Sequence, residues 1–153
     1  MQRRTLLMAS LCAGSLPAWA HHGWSSFDVE RPLYLEGRAL DVKWRNPHAE
    51  FTLELASPLR LPPDLAQRAL PAQSAAVDGR ALLARATLPQ RRDTRWHVEL
   101  APLSRLEQWK VPPLAAGSTV GLLGYSFSGE KGDAVLRAEY LFLGGQIYGL
   151  RSS

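Results

Sequence analysis

The clearest pattern in the chain is the alternation in Glu50–Leu55, E-F-T-L-E-L, where Phe51, Leu53 and Leu55 alternate with Glu50, Thr52 and Glu54. A period of two over six residues predicts a strand with one buried face. Before it, Leu33 to Trp44 changes phase: Leu33 and Leu35 precede Gly37, and Leu40, Val42 and Trp44 follow it. A glycine at such a change predicts a bulge and bend in a long first strand. Asn46-Pro47 supplies the turn between the two. Arg95–Leu100 reads as a third strand, with Trp96, Val98 and Leu100 inward and His97 towards solvent.

Ser104–Val111 carries Ser104 and Glu107 at capping-box spacing and stops before Pro112-Pro113, which predicts a two-turn helix. Two strands follow, S-T-V-G-L-L-G-Y-S-F and A-V-L-R-A-E-Y-L-F-L, joined by a turn at S-G-E-K-G-D. A Gly144-Gly145 turn then leads to a short last strand, Gln146–Leu150. Strand, strand, strand, helix, strand, strand is the order of a small OB-like Greek-key barrel with one short helix, here with a strand added. An all-β open sandwich is the alternative. The predicted inward set is Leu40, Val42, Phe51, Leu53, Leu55, Val98, Leu100 and Val120.

Between Pro58 and Asp93 the composition turns to Pro, Ala, Gln and Arg. A short helix over Asp64–Leu70 fits between Pro63 and Pro71, Asp78-Gly79-Arg80 marks a turn, and Ala81–Leu88 with Arg95–Leu100 reads as a hairpin. With few large apolar residues, this stretch is expected to be an insertion in a single domain rather than a second core.

The start of the chain is of another kind. Arg3-Arg4, the apolar run Thr5–Leu16 and the small residues Ala18 and Ala20 predict an export signal over 1–20, cleaved after Ala20. The run is too short for a permanent membrane helix, so no stable membrane insertion is expected. Leu11 before Cys12 speaks against lipid attachment. R-R-T-L-L resembles a twin-arginine signal only weakly, and the pattern leaves the general and twin-arginine routes open. Cleavage would leave a periplasmic domain over 21–153 without cysteine or methionine, because Cys12, Met1 and Met8 all lie in the signal. No disulfide and no sulfur ligand remains. Of the net charge of +4, Arg3 and Arg4 carry two, leaving +2. With export, that balance makes nucleic acid an unexpected partner.

Cleavage would also make His21 the first residue. An N-terminal histidine offers amine and imidazole nitrogens together, and a second imidazole completes a T-shaped, three-nitrogen set suited to Cu(II). The ligand pattern is similar to the copper histidine brace of lytic polysaccharide monooxygenases and some periplasmic copper carriers. His48, behind Pro47, is the expected second imidazole, with His22 as the substitute. Asp28 or Glu99 would be an outer ligand or a hydrogen-bond partner of an imidazole. The bland readings are a loose His-His start and a His48 bonded within its own turn. Trp24, Trp44, Trp96 and Trp109 are expected in packing rather than as a sugar platform, and Glu36, Glu50, Glu54 and Glu130 as solvated carboxylates. No nucleophile elbow, phosphate loop or cysteine pair is present.

The segments H-H-G-W-S-S-F-D, E-G-R-A-L-D-V-K-W-R-N-P-H, W-H-V-E-L, G-Y-S-F-S-G-E-K-G-D and G-G-Q-I-Y-G-L-R resemble the exported bacterial family catalogued as domain of unknown function 6152. Gly23 stands where many members have serine, and the Pro58–Asp93 stretch is longer than usual. The resemblance implies export and weight on His21, His22 and His48, without an activity. Two functions follow as expectations. One is a periplasmic copper-binding protein that stores, delivers or buffers the ion, with a metal-donor or metal-acceptor protein as partner. The other is a metal-free OB-like module that holds a partner protein or small ligand. A copper oxidase chemistry ranks third, since nothing marks a substrate surface.

Overall fold

Residues 23–73 and 76–151 are described by the computed structural model. Strand β1 (Leu33–Lys43) pairs antiparallel with β2 (Glu50–Leu55), and β2 pairs antiparallel with β3 (Arg95–Glu99). β4 (Thr119–Tyr125) lies against the other edge of β1, and β5 (Val135–Leu143) against β4. The sheet closes where β3 and β5 pair in parallel over His97–Glu99 and Val135–Arg137. The result is a closed five-stranded barrel with OB-like strand order. β6 (Gln146–Gly149) is an added strand on the far half of β5, reached through Gly144 and Gly145, both at positive φ as the tight turn requires.

The barrel interior is filled by the residues that point inward with period two. Leu33, Leu35 and Ala39 from β1, Phe51 and Leu53 from β2, Trp96 and Val98 from β3, and Leu122, Leu136 and Leu141 from β4 and β5 are all buried. Helix α2 (Leu103–Gln108) closes one end with the fully buried Leu106. Of the expected inward set, Phe51, Leu53, Val98, Leu100 and Val120 are buried, while Val42 and Leu55 are half-buried against the core. Leu40 is a correction. It pairs with Thr52 on the outer face, and Ala39 takes the interior position. The phase change lies at Asp41, which has φ 47° where the β1–β2 register slips between Leu40 and Lys43, and not at Gly37. Gly37 answers a different demand: a Cβ there would run into the backbone carbonyl of Glu54 on β2.

Residues 58–93 depart most from expectation. Of the helix expected over Asp64–Leu70, Leu65–Gln67 alone forms a turn, of 3-10 type, because the chain is already extended at Arg68. The expected strand over Ala81–Leu88 is instead helix α1 (Gly79–Arg85). Asp78, taken for a turn residue, is its N-cap, with a side-chain oxygen accepting from Ala81 N at 3.0 Å. Leu65, Leu82, Leu83 and Ala86 then cover Tyr34, Leu123, Tyr140 and Phe142 on the outside of the barrel, forming a second apolar layer. The described residues thus contain two short α-helices, α1 and α2, beside the barrel, where one was expected with it. α2 begins behind Pro102, without the side-chain cap expected of Ser104, and ends near Lys110, which sits at φ 56°. Among the described residues no helix is long and apolar enough to cross a membrane.

Candidate functional site

The outer face of β2 and β3 carries the polar half of each alternating strand. Register places Glu50 opposite Glu99, Thr52 opposite His97, and Lys43 opposite Glu50. His48 leaves the β1–β2 loop immediately before Ala49, whose backbone is tied twice to the segment just past β3: Ala49 N donates to Ala101 O and Leu100 N donates to Ala49 O. The ring of His48 is thereby held at the edge of the barrel wall, four-fifths covered.

Two imidazoles converge on one carboxylate. Oε2 of Glu50 lies 3.6 Å from His48 Nε2 and 3.5 Å from His97 Nε2, while its Oε1 accepts from Lys43 Nζ at 2.9 Å. Burial pulls the Glu50 carboxyl up, but the Lys43 hydrogen bond and the nearby His97, Lys43 and His48 outweigh it and hold the group below its usual range. His97 is only 18% exposed, so the expectation that it faces water is corrected. It is covered because β3 lies between β2 and β5 rather than at a free edge. Burial lowers its pKa, Lys43 and His48 add to the shift, and Glu50 and Glu99 oppose it without reversing it. At neutral pH this ring is neutral and keeps a nitrogen lone pair, as a metal ligand must.

Beside this cluster a cleft of about 350 Å³ is lined by Trp24, Pro47, His48, Glu99 and Arg137. Glu99 is committed to Arg137, which approaches its Oε2 with Nε at 3.0 Å and a terminal nitrogen at 2.6 Å. Arg137 also lies over the rings of Trp24 at 5.2 Å and Phe27 at 4.3 Å. Trp24 is 40% exposed and packs edge-on against Phe27 and Tyr125, with Arg151 over its face at 4.1 Å. Arg151 in turn pairs with the fully buried Glu139 at 2.7 Å, and Gln73 donates to the other Glu139 oxygen at 3.0 Å. Trp24 is thus clamped between the barrel wall and the chain's last described residue.

The expected ligands divide accordingly. His21 and His22 lie outside the described residues. His48 and Glu99 line the same cleft, although Glu99 faces a guanidinium rather than an imidazole. Asp28 stands apart, with a side-chain oxygen accepting from Glu30 N and its own N–H on Ser126 O. Among the described residues no group of three or more His, Cys, Asp or Glu side chains is placed to hold a metal ion. Sequence reasoning missed the pairing of His97 with Glu50, because a 39-residue connection separates β2 from β3 and hides their register. It also took Glu130 for a solvated carboxylate. Its side chain is 5% exposed, accepts from Gln90 N and Arg91 N, and pairs with Arg31 at 2.6 Å.

No curated protein and no solved structure matches the chain. A family model does match part of it, and that part contains the His-His start, β1, the Asn46-Pro47-His48 turn and β2: residues 9–60 match the family of unknown function DUF6152.

Proposed function

We propose that the protein is a periplasmic Cu(II)-binding protein that stores, delivers or buffers the ion, holding it through the α-amine and imidazole of His21 and the imidazole of His48. The supporting observation is that Trp24 and His48 line one cleft. Three peptide units separate His21 from Trp24, a covalent reach of about 10 Å. A histidine anchored there by the clamped Trp24 can therefore meet His48 without any rearrangement of the barrel. Nitrogen donors without sulfur suit Cu(II). Glu99, held by Arg137, contributes charge to the cleft wall rather than a bond to the ion. A metal-donor or metal-acceptor protein is the corresponding partner.

The test is Cu(II) binding by protein recovered from the periplasm, with its intact mass establishing the start at His21. Electron paramagnetic resonance should show a tetragonal Cu(II) signal with nitrogen hyperfine structure, and His48→Ala should remove one nitrogen. A start at another residue, or an unchanged spectrum in His48→Ala, would contradict the proposal. The second reading, a metal-free module, draws on the same cleft, which Arg105, Arg137 and Arg151 line together with Trp24. It gains if the native protein takes up no stoichiometric copper.

A further inference from the structure

We propose that the protein also binds a small organic ammonium with an apolar body, in a second pocket on the outer wall of the barrel, with Glu36 as its counter-ion. This pocket shares no residue with the cleft that Trp24 lines, so the inference does not depend on the copper reading. Its basis is one row of residues across the sheet. Register sets Glu36 of β1 opposite Gly121 of β4, Gly121 opposite Phe142 of β5, and Phe142 opposite Ile147 of β6. Residues paired in this way project from the same face, so the missing side chain at Gly121 leaves a gap between a carboxylate and an aromatic ring. The pocket built around that gap has a volume of about 530 Å³, within the range of about 300–1,000 Å³ common to small-molecule sites. Arg68 also lines it, with its guanidinium 5.3 Å from the centre of the Phe142 ring.

The charge left over in this pocket is negative. Every other buried or half-buried glutamate among the described residues meets a lysine or arginine: Glu50 meets Lys43, Glu54 meets Arg38, Glu99 meets Arg137, Glu130 meets Arg31 and Glu139 meets Arg151. Glu36, expected as a solvated carboxylate, is half-buried and makes no ion pair among the described residues; its Oε2 accepts from the Tyr34 hydroxyl at 2.6 Å. That donor brings no charge. Burial and the bond to Glu36 raise the Tyr34 pKa, so the phenol stays protonated. Arg68 does not neutralise Glu36 either, because its Nε and one terminal nitrogen lie 3.1 and 3.3 Å from the two Asp64 oxygens. Glu36, Arg68 and Asp64 thus leave one negative charge beside an apolar floor, where an unpaired carboxylate is costly. A ligand ammonium supplies the missing cation and donates to the other Glu36 oxygen, while its apolar body lies along Phe142 and Ile147.

The experiment is a titration of the copper-free protein with 2-phenylethylamine, followed through backbone amide signals. Two relatives of the probe serve as comparisons: its N-acetyl derivative, which keeps the ring and loses the charge, and 3-phenylpropionate, which reverses the charge. Expected are saturable shifts centred on Gly121, Gly144 and Gly145, all of which line the pocket, and an affinity at least about tenfold higher for the amine than for either relative. Glu36→Gln keeps an oxygen to accept from Tyr34 and removes only the charge. It should weaken amine binding at least about tenfold and leave the N-acetyl derivative unaffected, with thermal melting to check the fold. Should that variant not fold, the comparison of the three probes on the native protein still decides. No saturable binding of the amine, equal affinity for the amine and its N-acetyl derivative, undiminished binding by folded Glu36→Gln, or shifts centred on the Trp24 indole would each overturn the inference, and none of them bears on copper.

Discussion

At the scale of single residues, the buried polar groups decide the character of the cleft. Glu139 has no exposure, and burial raises its pKa, while Arg151 and Gln73 pull it back without restoring the ordinary value. A carboxyl whose folded pKa is raised favours the folded state at low pH and loses that contribution as pH rises through the raised value. Arg151→Ala removes the charge that compensates the ionised form. It should destabilise the protein by about 3 kcal/mol at pH 8 and clearly less at pH 4, where Glu139 is protonated. Denaturant unfolding of both proteins at the two pH values checks this, and an equal loss at both would show that Arg151 acts through packing on Trp24 alone. None of this was legible in the sequence. Gln73 stands 66 residues before Glu139, and Arg151, 12 residues after it, is brought back beside it by the return of β6 along β5, which no local pattern announces.

At the scale of elements, local pattern was a good guide where one face meets the core and a poor one elsewhere. β2 shows its phase openly because Phe51 and Leu53 are interior while Glu50, Thr52 and Glu54 are not. β4 and β5 were found in place, although burial on both faces blurs their alternation. α1 was misread for a physical reason: Leu82, Leu83 and Ala86 pack together against the outer layer at helical spacing, but an apolar run this short cannot be told from a buried strand by periodicity alone. The first strand shows the opposite error, a correct phase change assigned to the wrong residue. Gly37 is there for approach, not for bending. Gly37→Ala should therefore force β1 and β2 apart and cost about 1–3 kcal/mol by overpacking, read as a lower melting temperature. Asp41→Gly, at a backbone conformation glycine adopts easily, should cost no stability. If Gly37→Ala is tolerated and Asp41→Gly is not, the assignment of close approach and bulge is reversed.

At the scale of the whole molecule, the barrel class was legible because element order carries it, whereas its closure was not. Parallel pairing of β3 with β5 is a contact between segments distant in sequence, and it places β3 inside the sheet, while the β2–β3 register sets His97 beside Glu50. The candidate site was legible in the same partial way: His48 by its place behind Pro47, His97 only as an exposed residue, which it is not. The cleft then gathers Trp24 and His48 from the first part of the described chain and Arg151 from its end, so a metal held there would tie the N-terminus to the barrel wall. The central claim is that the amine of His21 is one of the ion's ligands, and its most direct measurement is the Cu(II) affinity of the native protein against a protein with one alanine added before His21. All side chains remain, and only the amine is displaced. The account predicts that the added residue weakens binding as severely as His21→Ala. Equal affinity in the native and extended proteins would contradict it.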